Sequence, residues 1–215
     1  MHQAEVLRSY GSSVVADALR DLGYPDRTAA QGLLPVNREH VAVGRARTAR
    51  FEPVAPDDNR GFLPLAAFID SVEPGEVLVL GAAEGASPGS VWGEICSTAA
   101  AGRRCAGVVI DGFMRDQLAL ECMELPVFSR GAFSQDCLGR SMVSETGTEA
   151  VCGGVRVATG DWVVADMDGV VFVPRALEAQ VLEAAEEKRR AEQALLEAVA
   201  AGRSLKEAVE SIGTL

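Results

Sequence analysis

Residues 3–22 carry Val6, Leu7, Val14, Val15, Ala18 and Leu19 near helical spacing, and Gly23 ends the run. That pattern predicts an amphipathic helix. Residues 41–52 alternate instead: Val41, Val43, Ala46, Thr48 and Phe51 are broken by Gly44 and arginines, as in a strand. Residues 61–71 predict a short amphipathic helix before Pro74-Gly75, and 76–80, Glu-Val-Leu-Val-Leu, a mostly apolar strand. A loop rich in glycine and small residues follows over 81–90, then a helix over 91–101. Ala106–Ile110 is a buried strand ending at Asp111-Gly112, residues 116–123 a short helix, and Pro126-Val127-Phe128 a third short strand. Gly153–Val157, Trp162–Ala165 and Val170–Val173 are three more strands, separated by Gly160-Asp161 and Asp168-Gly169. Tight turns of that kind join antiparallel neighbours. Residues 175–201 form a long helix without internal Gly or Pro, and Gly202 is a natural stop.

Strand and helix alternate in the middle of the chain, and a meander plus a helix ends it. The expectation is an α/β fold, a mixed β-sheet sandwich with flanking helices around a three-layer core, in one domain over residues 1–215. Apolar residues make up 48% of the chain and charged residues 24%, which excludes disorder and a coiled-coil rod. The net charge of −11 argues against a nucleic-acid partner and against docking on anionic lipid. No basic segment followed by an apolar run opens the chain, and no stretch approaches membrane-spanning length, so a cytoplasmic protein is expected. The five cysteines, Cys96, Cys105, Cys122, Cys137 and Cys152, contain no C-x-x-C pair and read as reduced thiols. With only His2 and His40, a Ser-His-Asp or Cys-His mechanism would rest on His40 alone.

Four segments could carry chemistry. The 81–90 loop before a helix could present backbone N–H groups to a carboxylate or phosphate, or be a plain connection. In Asp111-Gly112-Phe113-Met114-Arg115-Asp116, just after a buried strand, Arg115 offers a planar fork for a carboxylate. Asp116 offers a hard oxygen ligand for Mg²⁺ or Mn²⁺; the plainer alternative is a surface ion pair. Glu94, early in a helix, is either a partner of the helix dipole or a carboxylate that holds water and moves protons. On the long C-terminal helix, Leu177, Val181, Ala184, Ala185, Leu195 and Val199 share a stripe interrupted by Lys188 and Glu192. Those two form either an i,i+4 ion pair or deliver Glu192 to a site in a neighbouring subunit.

The run Trp92-Gly93-Glu94, then Gly107-Val108-Val109-Ile110-Asp111-Gly112 and Arg115-Asp116, resembles the RraA-like family. Gly153-Gly154-Val155, Gly160-Asp161 and Ala165-Asp166-Met167-Asp168-Gly169-Val170 extend the resemblance. So do Asp17-Ala18-Leu19, Gly44-Arg45-Ala46-x-Thr48 and Pro74-Gly75, so that it covers residues 12–203. That family includes class II 4-hydroxy-4-methyl-2-oxoglutarate/4-carboxy-4-hydroxy-2-oxoadipate aldolases and regulators of ribonuclease activity. The resemblance implies a swivelling ββα-type fold and a homotrimer, sometimes a hexamer. In the aldolases a glycine-acid segment and an Arg 22 positions after its Gly bind substrate, and the next Asp holds the metal. Here Gly93, Glu94, Ile95 and Cys96 match that segment, Arg115 the arginine and Asp116 the metal ligand. Ile95-Cys96 departs from the commoner leucine-rich pair. A Glu from a neighbour's last helix matches Glu192.

What the resemblance implies is a divalent-metal-dependent (Mg²⁺ or Mn²⁺) carbon–carbon lyase on a 2-oxo acid, with Arg115, Glu94 and Glu192 as catalytic groups. The same enolate chemistry would decarboxylate oxaloacetate. The alternatives are a non-catalytic protein-binding regulator, whose branch lacks the acid directly after the Arg, and a related lyase or decarboxylase on a biosynthetic substrate.

Overall fold

The computed structural model describes residues 2–58, 60–83 and 89–212. The first helix, α1 (His2–Asp21), is interrupted at Gly11, whose φ is 77°. Ser12 restarts it, donating to the Asp166 carboxylate through its backbone N–H at 2.7 Å and its hydroxyl at 2.6 Å. Gly23, at φ 89°, ends the run.

Strands β1 (Leu34–Pro35), β2 (Ala42–Pro53) and β3 (Glu76–Ala82) flank helix α2 (Leu63–Asp70). The short strand β4 (Ser90–Trp92) precedes α3 (Glu94–Gly102), β5 (Gly107–Ile110), β6 (Phe113–Met114), α4 (Gln117–Glu121) and β7 (Val127–Ser129). Then come β8 (Ser141–Thr146), β9 (Glu149–Cys152), β10 (Val155–Ala158), β11 (Trp162–Asp166), β12 (Gly169–Val173), α5 (Glu178–Ala200) and α6 (Leu205–Ile212). The main sheet runs β1-β7-β5-β3-β2-β11-β12, and β8 pairs the far end of β2. Strands β2, β3, β5 and β7 are parallel; β11 lies antiparallel to both β2 and β12. One segment touches both edges of this sheet. Thr28 bridges Val171 of β12, and Leu34 pairs with Ser129 of β7. The sheet is thereby nearly closed.

Near-closure explains the sequence of β3. Val77 and Val79 face inward with Ala46, Val109, Phe128 and Phe172, under the β9–β10 hairpin. Leu78 and Leu80 face outward beneath α2, α3 and α4. A parallel strand buried on both faces reads as a continuous apolar run. Further along the outer face, α1 and α5 cover Val43, Val164, Val171 and Val173.

Several local expectations change. The helix expected over 91–101 begins at Glu94, because Val91 and Trp92 belong to β4, paired with β6. Of the 81–90 loop, residues 81–82 lie in β3 and residue 90 in β4, while 84–88 fall outside the described residues. Gly160-Asp161 does not join antiparallel neighbours: β10 pairs with β9, and β11 with β2. The Asp161 carboxylate instead accepts the backbone N–H groups of Ala158 and Arg175, both at 3.0 Å, and so fixes a corner between sheets. Lys188 does not pair with Glu192. It is buried, and its ammonium meets the Asp21 carboxylate of α1 at 2.8 Å.

Candidate active site

Strand β4 and the segment after β5 run side by side, which brings residues 22 or 23 positions apart into contact. Ser90 pairs with Phe113 and Trp92 with Met114, and the backbone N–H of Arg115 donates to the carbonyl of Trp92 at 2.9 Å. The chain then turns sharply. Asp116 adopts the left-handed conformation, φ 62° and ψ 35°, immediately before α4, and Asp is among the few residues that tolerate it. This turn aims the Asp116 side chain back at α3, where its Oδ2 accepts the backbone N–H of Glu94 at 3.1 Å. Gly93 is needed for that approach: a Cβ there would lie 2.6 Å from Oδ2 of Asp116 and 3.2 Å from Cγ of Arg115.

Helix α3 is anchored from beneath. The buried Trp92 indole N–H donates to Ser97 Oγ at 2.7 Å, and Ser97 N–H to the carbonyl of Gly93 at 3.0 Å. The start of α3 therefore faces a cavity of about 260 Å³. Its lining is largely apolar, with Phe62, Leu65, Ile95, Cys96, Cys137 and Leu138. The same lining carries Arg115, Asp116 and Asp136. The Arg115 guanidinium sits between two carboxylates, with Nε 3.9 Å from Asp116 Oδ2 and Nη1 3.8 Å from Asp136 Oδ2. Both separations exceed a hydrogen bond, so the carboxylates orient the guanidinium without occupying its N–H donors. The Ser90 hydroxyl, also lining the cavity, is committed to the carbonyls of Phe133 and Gln135 at 2.6 and 2.8 Å.

The residues singled out in the sequence distribute unevenly. Gly93, Ile95, Cys96, Arg115 and Asp116 line this one cavity. Glu94 contributes its backbone N–H, and its side chain is exposed beside the cavity. Burial pushes the Cys96 thiol up to about 11, which leaves it a neutral lining group. Glu192 stands on α5, in the layer formed with α1 over β11 and β12, and does not meet Arg115 or Asp116 within the chain. Asp136 and the remaining apolar lining residues, Phe62, Leu65, Cys137 and Leu138, were not singled out. Asp136 sits in a Ser-Gln-Asp-Cys loop 21 positions after Arg115, with no periodic signal to mark it.

All five cysteines are free. Among the described residues no three His, Cys, Asp or Glu side chains cluster as a metal cage, and no helix is long and apolar enough to cross a membrane. A single hard carboxylate with one oxygen tied to a backbone N–H suits an ion such as Mg²⁺, which keeps several waters and takes few protein ligands. Asp116 fits that description.

Residues 12–172 match the family model RraA-like, described as Aldolase/RraA. The chain belongs to the RraA-like family. It is 30% identical, over 90% of its length and 89% of the relative's, to a Halalkalibacterium halodurans protein named provisionally as a 4-hydroxy-4-methyl-2-oxoglutarate aldolase. An uncharacterized protein from Pseudomonas syringae pv. tomato shares the fold with a TM-score of 0.87 at 29% identity, over 98% of this chain and 93% of that one. Streptomyces coelicolor RraAS2, described as an unusual member of the RNase ES inhibitor RraA family, superposes with a TM-score of 0.79 at 26% identity, over 89% and 94% of the two chains.

Proposed function

We propose that this RraA-like protein is a divalent-metal-dependent carbon–carbon lyase that cleaves a 4-hydroxy-2-oxo acid to pyruvate and a carbonyl product. The observation that carries the reading is Arg115 beside Asp116 in the lining of a cavity, with Asp116 held by the Glu94 N–H. Asp116 would hold Mg²⁺ or Mn²⁺, which when bound supplies a Lewis acid at the 2-oxo group. Arg115 pairs with the substrate carboxylate or with the oxyanion that develops at C2, for which its planar fork is suited. The N-terminus of α3 adds a dipole that favours negative charge at the same end of the cavity. In the cleavage the C4 hydroxyl loses its proton to a base, the C3–C4 bond breaks, and its electron pair becomes the enolate of pyruvate, which is protonated at C3. Glu94 is our candidate for moving these protons through solvent. Glu192 of a neighbouring subunit, in a homotrimer or hexamer, would be a second carboxylate. Decarboxylation of oxaloacetate passes through the same enolate.

The named H. halodurans relative supports this reading. The similarity to RraAS2 supports the alternative of a protein-binding regulator, but a cavity carrying Arg115 and Asp116 together favours chemistry on a small acid. The test is pyruvate release from oxaloacetate and from 4-hydroxy-2-oxo acids, with Mg²⁺ and with EDTA. Activity that EDTA abolishes and Mg²⁺ restores is expected; full turnover by metal-free protein defeats the metal, and none with either substrate class defeats the lyase.

A further inference from the structure

The carboxylates around the paired strands β4 and β6 are held in different ways. Asp111 has both oxygens engaged, Oδ1 by the Arg130 Nε–H at 2.6 Å and Oδ2 by the Gly153 N–H at 2.7 Å. Asp116 is tied to the Glu94 N–H, and the Glu94 side chain is exposed beside the cavity. Asp136 lines the cavity itself. Its Oδ1 accepts the Leu138 N–H at 3.2 Å. Its Oδ2 stands 3.8 Å from Arg115 Nη1 and takes no hydrogen bond from the described residues. The segment that carries Asp136 is fastened to both strands. Phe133 N–H donates to the Met114 carbonyl at 2.8 Å, and Ser90 N–H to the Gln135 carbonyl at 2.7 Å. Ser90 also bridges Asp136. Gly89 permits this approach, since a Cβ there would lie 2.7 Å from the Asp136 carbonyl oxygen. A carboxylate with a free oxygen is thereby built against Arg115. A substrate oxygen paired with that guanidinium at about 2.9 Å would bring the rest of a small 2-oxo acid close to Asp136 Oδ2.

We infer that Asp136 is the general base that takes the C4 hydroxyl proton. This rests on the lyase reading and supplies the base that reading leaves unnamed. The O–H bond breaks, its electron pair forms the product C=O, and the C3–C4 pair passes to the enolate while the proton goes to Oδ2. That proton exchanges with solvent beside Glu94 and one returns to C3, which restores the carboxylate. Oxaloacetate has a carboxylate at C4 in place of a carbinol. Its C3–C4 bond breaks to release CO₂ with no hydroxyl proton to remove. Asp136 therefore serves only one of the two reactions, whereas Arg115 serves both.

Asp136→Asn tests this, because Asn keeps an oxygen for the Leu138 N–H and loses the base. With Mg²⁺ present, kcat for pyruvate release from 4-hydroxy-4-methyl-2-oxoglutarate should fall about 100-fold or more, with little change in KM. Oxaloacetate should still be decarboxylated at close to the wild-type rate. Calorimetric binding of Mg²⁺ and of pyruvate should match wild type. Asp136→Ser, which also keeps an oxygen for Leu138, should give the same split. If both reactions fall together, Asp136 acts through Arg115; if neither falls, it has no part. Either result overturns the base and leaves the lyase reading standing. If wild-type protein decarboxylates oxaloacetate but cleaves no 4-hydroxy-2-oxo acid, the base is overturned; if it does neither, the lyase reading falls with it.

Discussion

The backbone N–H of Glu94 and the carboxylate of Asp116 meet at 3.1 Å across 22 positions of sequence. This one hydrogen bond ties the first turn of α3 to the residue that opens α4. It makes the Gly-Glu pair and the Arg-Asp pair a single structural unit, and it depends on Gly93 having no side chain.

Gly93→Ala tests that dependence. The new methyl would sit 2.6 Å from Asp116 Oδ2, so either the carboxylate or α3 must move. The backbone of Gly93, at φ −170°, is open to any residue, and the effect is therefore steric. We expect kcat/KM for pyruvate release to fall at least about ten-fold, roughly 1.4 kcal/mol, with a cooperative melt retained. Wild-type kinetics in this variant would show that the Glu94–Asp116 contact has no part in the chemistry.

Asp116 has two separable roles, a left-handed turn and a charge. Asn tolerates the left-handed region as Asp does, whereas Ala meets a cost of about 1–2 kcal/mol there. Asp116→Asn should keep the melting temperature near wild type and lose Mg²⁺-dependent activity. Asp116→Ala should lose activity and also melt lower. An active Asp116→Asn enzyme would refute the ligand role.

Arg115 stands between two carboxylates without hydrogen-bonding either, at 3.9 and 3.8 Å. A lysine can keep the charge but not the fork. Arg115→Lys is expected to lower kcat/KM by about ten-fold or more. Equal kinetics of the two proteins would remove the bidentate role.

The Gly93 to Arg115 spacing was legible through the family resemblance, and in this chain the pairing of β4 with β6 is what brings the two together. The strands of the main sheet were legible where burial imposed apolar runs, as at Val77–Leu80 and Val108–Ile110. β4 itself was not, because Ser90–Trp92 is three residues long and abuts a helix, too short for alternation to show. The partner of Lys188 was missed for a different reason. Spacing along α5 offered Glu192, whereas packing α5 on α1 supplied Asp21 from 167 positions away. Asp136, Cys137 and Leu138 were likewise invisible because they sit in a loop that carries no period.

The Asp21–Lys188 contact leads to a prediction about pH. Hydrogen bonding from Lys188, with help from Arg20, holds the Asp21 carboxyl below its usual range. A carboxyl depressed in the folded state stabilises that state above its unfolded pKa, near 3.9, and the contribution disappears as pH falls through the folded value. Lys188 is only 7% exposed at its side chain and Asp21 is 50% exposed, so the pair lies between a surface bridge and a buried one. Asp21→Asn would leave a buried ammonium without its anion, at a cost of about 2 kcal/mol at neutral pH, or about 4–8 °C in Tm. The difference from wild type should shrink as pH is lowered from about 4 through the depressed folded value, where the wild-type carboxyl itself becomes protonated. Thermal melts of both proteins between pH 3 and 7 measure this directly. Parallel pH curves, with a constant offset, would show that the loss came from packing rather than from the charge of Asp21.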